Sequence, residues 1–260
     1  MSLGFEREVP PGFEFFQRFP EEEMIQFQRL KIAAKENNQP LPIVCPICPD
    51  YDEQYRLADG IDETAKRVLT NLPVMAEFFG DNLPFKIEMH VADVEGFEPL
   101  ILQTSRETTA SFLEKTDNTI HLIQNKIEEL QFNSFVSCTS MLSVFNQSGI
   151  DYFSRKKVNM SKIINSQGRK VNRALNSLID ERARKGHFNL VAPNDYRMMA
   201  AEELANYATY GELVNGQAVI LSPDAPSPIP AYNFLREKNQ PYNPTIFLKA
   251  IRERKSFYDL

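Results

Sequence analysis

Leu41-Pro42-Ile43-Val44-Cys45-Pro46-Ile47, followed by Cys48-Pro49-Asp50-Tyr51, decides the fold of this chain. A short apolar run bounded by Pro and Asp suits a buried strand better than a helix, so the first core strand is expected here. Upstream, Glu21-Glu22-Glu23 opens a helix predicted over residues 21–36, where carboxylates complement the positive helix end. The residues before it, with Pro10, Pro11 and Pro20 among aromatics, read as an irregular arm.

Downstream, Asp62 is read as the cap of a helix reaching about Asn71, and Pro73 as the start of a further turn. Phe85, Ile87, Met89 and Val91 then alternate with Lys86, Glu88 and His90, the period of a strand with two different faces. Thr104-x-x-Glu107 has the form of a capping box, and Asp117 is read as the cap of a second helix bearing Ile120, Ile123, Ile127 and Leu130. Phe135 to Thr139 is β-like, residues 151–185 are mainly helical, and Asn189-Leu190-Val191 suits a short strand. Asn194 or Asp195 caps a helix to about Leu213, which leads into a strand from Gln217 to Leu221 and the rigid proline-rich loop from Ser222 to Pro230. Strands alternating with helices predict an α/β, three-layer sandwich with a mostly parallel sheet covered on both faces. The 260 residues are expected to form a single domain, with arm and helix at 1–38, core at 39–238 and a C-terminal extension at 239–260.

Composition narrows the function classes. Apolar runs of only a few residues exclude a membrane-spanning helix, and the first residues lack the pattern of a secretory signal. Three cysteines make no disulfide framework and fit a reducing cytoplasm. The ten glycines never form Gly-x-Gly or a phosphate-loop pattern, which argues against a standard dinucleotide enzyme or NTPase. His90, His121 and His187 are the only histidines, so no metal site and no cofactor are expected.

Ligands of open α/β sheets bind beyond the carboxyl ends of strands, where loops and helix N-termini converge. That places Cys48, Asp50 and Tyr51 at a candidate site, with Asp93 and Glu95 at the same edge if the second strand is parallel to the first. Cys45-x-x-Cys48 has the spacing of a redox pair or of half a zinc site, and equally of one buried strand cysteine followed by one loop cysteine. Asp93 and Glu95 suit a substrate amino group or a ribose hydroxyl, and also suit a helix cap or a solvated acidic loop. On the later helix, Glu203, Tyr207 and Tyr210 stand at helical steps, and Tyr232-Asn233 after the next strand can join them.

Charge is unevenly spread. Ten basic residues against three acidic ones lie between Gly149 and Gly186, although the whole chain carries −6. On a single helix, Arg155, Lys162, Arg169, Arg173 and Arg184 fall on one stripe opposite Val171, Leu175 and Leu178, which suits a reader of phosphate backbones as well as a solvated face. Gly168 is the point where such a helix would break.

This order of elements, over roughly residues 40 to 238, resembles that of the tRNA-dependent cyclodipeptide synthases. The resemblance implies a Rossmann-like fold and an enzyme, a transferase, that joins aminoacyl groups taken from charged tRNAs, with tRNA as partner. In that family a serine nucleophile follows the first strand, where this chain has Cys48. A helix bearing Tyr-x-x-x-Glu corresponds to Tyr207-Ala208-Thr209-Tyr210-Gly211, with glycine in the glutamate's place and Glu212 one residue on. The family's further tyrosine corresponds to Tyr232. On this reading Cys48, Tyr207, Glu212 and Tyr232 are catalytic, while Asp50, Tyr51, Asp93, Glu95, Glu203, Tyr210 and Asn233 bind the aminoacyl or similar small substrate. Two other classes remain open: a nucleotide- or methyl-donor-binding enzyme using Asp93 or Glu95 on a ribose, and a non-catalytic RNA-binding module using the basic stripe.

Overall fold

The computed structural model describes residues 21–47, 68–72, 84–184, 195–222, 231–233, 235–236 and 239–247. Helix α1 (Glu21–Glu36) precedes strand β1 (Leu41–Ile47), both with the bounds expected from their patterns. Strand β2 (Phe85–Val91), a 3-10 turn at Asp93–Phe97, and helices α2 (Pro99–Ser105) and α3 (Thr109–Glu129) follow. Next come β3 (Val136–Ser140), α4 (Met141–Gln147), α5 (Tyr152–Ile164) and α6 (Arg169–Arg184). Helix α7 (Tyr196–Val214), β4 (Val219–Ser222), a 3-10 turn at Ala231–Asn233 and β5 (Thr245–Phe247) complete the described chain.

The described strands form one sheet in the order β3-β2-β1-β4-β5, and every pairing is parallel. Successive connections run outward from β1 through β2 to β3, then return to β4 on its other side. The switch point therefore lies between the carboxyl ends of β1 and β4, where a crevice for ligand opens in folds of this kind. Alternating side chains of β1 serve two cores. Ile43, Cys45 and Ile47 pack with Ile87, Met89, Ile123 of α3 and Phe27 of α1 on one face. Val44 and Ile220 pack with Phe145, Tyr152, Tyr210 and Val214 on the other. This is the expected three-layer, Rossmann-like α/β sandwich. A further cluster, with Ile163, Leu175, Leu178 and Leu204, joins α5, α6 and α7 outside the second core.

Several local expectations need correction. Asp117 does not start a helix, because α3 runs unbroken from Thr109. Its capping box is Thr108 with Ser111: Thr108 Oγ1 accepts the Ser111 N–H and Ser111 Oγ accepts the Thr108 N–H, so two orphan donors are satisfied well before the chain reaches Asp117. Thr104 lies inside α2, not at a cap. Asp195 precedes α7 but makes no side-chain cap bond, and β3 and β4 begin at Val136 and Val219. The edge strand β5 was missed and falls in the segment read as an extension. The expected cap at Asp62, the turn at Pro73, the strand at Asn189–Val191 and most of the proline-rich loop lie outside the described residues.

Candidate functional site

Helix α7 is buried along much of its length, and its Glu203, Tyr207 and Tyr210 line up on neighbouring turns beside the 3-10 turn that follows β4. The Tyr207 and Tyr232 ring centroids lie 5.4 Å apart at 82°, and those of Tyr210 and Tyr232 lie 6.0 Å apart at 61°. Edge-to-face contacts of this kind set the positive ring edge against a negative face and hold three tyrosines in fixed mutual orientation. Tyr207 donates its hydroxyl to Glu203 Oε1 at 3.3 Å. The structure thus brings together Glu203, Tyr207, Tyr210 and Tyr232, four of the residues singled out from the sequence.

Close approach of backbone to backbone holds this group. The Cβ of any residue replacing Gly211 would run into the carbonyl of Tyr232, so a side chain there is sterically barred. Asn243 ties the junction: its Nδ2 donates to the carbonyls of Gly211 and Tyr232, and its Oδ1 accepts the Gly216 N–H. Asn233, expected at a substrate, instead donates through Nδ2 to Glu23 Oε1 of α1 and to the Asn243 carbonyl, and accepts the Asn243 N–H. Burial of Glu23 pushes its carboxyl up to about 8 against the lowering effect of hydrogen bonds from Thr245 and Asn233.

Tyr210 is 2% exposed, and its hydroxyl lies 2.7 Å from Nδ1 of His90, also 2% exposed. Nε2 of His90 stands 3.8 Å from Glu88, an ion-pair distance, and the Glu88 carboxyl is held down to about 2 by His90 first, with Lys86 assisting. Sequence reasoning missed this trio. The period-2 pattern correctly put Glu88 and His90 on one face of β2 but did not show that α7 covers that face.

The remaining candidates are placed elsewhere. Asp93 does follow β2, and its Oδ1 accepts the Leu142 N–H at 2.9 Å in the first turn of α4, the helix-capping role weighed against substrate binding; burial raises its carboxyl. Glu95 is buried in the turn at 93–97. Glu212 is drawn outward to Arg155, with Oε2 2.9 Å from Nε. The single basic helix is replaced by two, since α5 ends at Ile164 and α6 starts at Arg169, so the stripe is divided at residues 165–168. Lys162 on α5, and Arg169 and Arg173 on α6, are exposed, while Val171, Leu175 and Leu178 turn inward. The side chain of Arg184, and the whole of Cys48, Asp50 and Tyr51, lie outside the described residues. Cys45 and Cys138 are buried thiols, and burial pushes Cys138 up to about 12. Among the described residues no three His, Cys, Asp or Glu side chains could hold a metal ion, and no helix is long and apolar enough to cross a membrane.

A second polar group was not legible in the sequence. Glu98, at the N-cap position of α2, receives Lys156 Nζ of α5 and Asn206 Nδ2 of α7 on the same oxygen, Oε1. Tyr152 donates to Asn206 Oδ1 at 2.6 Å, and Asn159 donates to Thr209 at 3.0 Å. The residues lie 50 to 108 positions apart, so no local spacing announces them.

Fold and site together define a parallel-sheet α/β protein with a group of tyrosines where α7 meets the turn that follows β4. Its structure is similar to that of cyclo(L-leucyl-L-phenylalanyl) synthase, with a TM-score of 0.52 and 8% identity over 85% of this chain and 92% of that one. It is also similar to the PvcA protein from Pseudomonas aeruginosa, with a TM-score of 0.53 and 15% identity over 92% of this chain and 80% of that one. The resemblance to cyclodipeptide synthases read from the order of elements is thus present in the fold. No protein-family model and no curated protein matches the sequence.

Proposed function

We propose that this chain is a transferase that takes an activated aminoacyl group, carried on tRNA, and passes it on to form a peptide bond. The observation that carries the reading is the convergence of Tyr207, Tyr210 and Tyr232, from α7 and the turn that follows β4, in a chain whose fold is shared with a cyclodipeptide synthase.

The chemistry fits acyl transfer. Cys48, immediately after β1, supplies the nucleophile: its sulfur bonds to the ester carbonyl carbon, the bond to the terminal ribose oxygen of the tRNA breaks, and that oxygen takes up a proton. The amine of a second aminoacyl group then attacks the thioester, the peptide bond forms and the thiol is released. Tyr207 and Tyr232 position the acyl group, with the buried Tyr210 fixing Tyr232 from behind. Glu203 moves the proton through its bond with Tyr207, since Glu212 is engaged by Arg155. Lys162, Arg169 and Arg173 face solvent and suit the phosphates of the tRNA.

Incubation with a set of radiolabelled aminoacyl-tRNAs tests the reading. Labelled protein and a labelled dipeptidyl-tRNA are expected, both lost in Cys48→Ala. Absence of both from the wild-type protein with every aminoacyl-tRNA would overturn it.

A further inference from the structure

Helices α5 and α7 and the start of α2 enclose an acidic cluster of which the acyl-transfer steps use only Glu203. Glu98 is 2% exposed, and both of its partners, Lys156 and Asn206, engage Oε1; its buried Oε2 has no hydrogen-bond partner among the described residues. Glu202 stands one turn before Asn206 on the same side of α7, and its Oε2 is likewise buried without a partner. Glu203 supplies a third carboxyl. Burial first and then Glu98 raise Glu202, and burial first, with Glu203 adding, raises Glu98. Lys156 is the cation that opposes them.

Three carboxyls share one ammonium, and the buried Oε2 atoms of Glu98 and Glu202 lack hydrogen-bond donors among the described residues. Buried acceptors in this condition are satisfied by a donor supplied from outside. The spacing does not suit a metal ion, because these carboxylates do not converge closely enough to hold one. An alkylammonium carries one positive charge and three donors in a fan, and reaches oxygens at about 2.8–3.0 Å in several directions. Glu202, Glu203 and Tyr207 are half-buried, and Tyr207 links Glu203 to the Tyr232 ring.

We propose that Glu98 and Glu202, with Glu203 at the rim, form a subsite for a primary alkylammonium group. Taken with the transferase reading, on which only the identity of the amine depends, the group is either the α-ammonium of the aminoacyl substrate or the side-chain ammonium of a basic one. Asn206 and Lys156 hold Glu98 with its second oxygen toward the ligand, and Glu202 closes the other side.

Calorimetric titration of the full chain with three small amides separates the cases. Leucinamide carries only the α-ammonium, N-acetyl-lysinamide only the side-chain ammonium, and N-acetyl-leucinamide neither. The expected result is binding of at least one of the first two, no binding of the third, and weakening of about tenfold or more in Glu202→Gln, because one charge-assisted hydrogen bond is lost. Glu202→Gln removes a carboxyl that has no protein partner, so its melting temperature should stay level or rise; Glu98→Gln, which can still accept from Asn206, gives a second reading of the same loss. Binding of none of the three, equal binding of N-acetyl-leucinamide, or unchanged affinity in both variants would each overturn the subsite. Amine binding retained in a chain that yields no product from aminoacyl-tRNA would instead sink the transferase reading alone.

Discussion

Gly211 and Tyr232 meet backbone to backbone, with the α-carbon of Gly211 facing the Tyr232 carbonyl so closely that no side chain fits between them. This contact explains why glycine stands where the sequence resemblance would place a glutamate. A carboxylate at that position would drive the turn at Ala231–Asn233 away from α7 and carry Tyr232 with it. Gly211→Ala is therefore expected to destabilise the chain by about 1–3 kcal/mol, the usual range for overpacking, read by urea denaturation. The ring contact between Tyr207 and Tyr232 should loosen together with the loss of stability. A stability equal to wild type would mean that the junction yields easily.

Removing the hydroxyl in Tyr210→Phe leaves a ring nitrogen of His90 buried without its 2.7 Å partner. A cost of about 1–3 kcal/mol is expected from the stranded polar group. Replacing both residues, in Tyr210→Phe with His90→Leu, should recover part of that loss, and a double-mutant cycle measures how much.

Glu23 gives a pH dependence with a defined sign. Its carboxyl rises from 4.5 to about 8 on folding, mainly through burial, so the folded chain binds a proton in that interval which the unfolded chain has released. The contribution is fully present below about pH 4.5 and is lost as pH rises toward 8. The slope attributable to this group is at most about 1.4 kcal/mol per pH unit. Glu23→Gln keeps an oxygen for Asn233 and lacks the titration, so its stability relative to wild type should improve steadily across that window. Parallel stability curves would show that Glu23 titrates normally.

Lys156→Met leaves the buried Glu98 without its cation. A loss of about 3 kcal/mol is expected near neutral pH, as for breaking one side of a buried pair. Because burial already raises Glu98, lowering the pH allows it to protonate, and the deficit should shrink. Chemical denaturation at two pH values checks both statements.

Reversal of the exposed charges in Arg169→Glu with Arg173→Glu should leave stability within about 0.5 kcal/mol of wild type. If these residues contact tRNA phosphates, binding weakens and the dependence of log K on log salt becomes shallower by up to about 2. Unchanged affinity and slope would remove α6 from the interface.

The parts of the fold that were legible in the sequence are those where local pattern and tertiary burial agree. Leu41–Ile47 is apolar because both faces of β1 are covered, and Glu21–Glu36 begins with acids and ends with Lys35, so their bounds follow from composition alone. Asp117 misled because aspartate is a good cap in isolation, whereas Thr108 and Ser111 had already started the helix. His90 looked like an outward strand residue because alternation reports that two faces differ, not what covers each. Lys156 belonged to a basic run by sequence, yet its ammonium turns inward to Glu98 across three elements. The tyrosine group was found because helical spacing and the following strand bring it together; the acidic cluster was not, because its members are joined only by packing.

Asn243 supplies the clamp that holds the carbonyls of Gly211 and Tyr232 and the amide of Gly216, and only Pro244 separates it from β5. During synthesis from the N-terminus, α7 and β4 leave the ribosome before this residue does. The nascent chain can therefore assemble most of its sheet while the tyrosine junction is still unlatched, and the junction closes as a late event of translation.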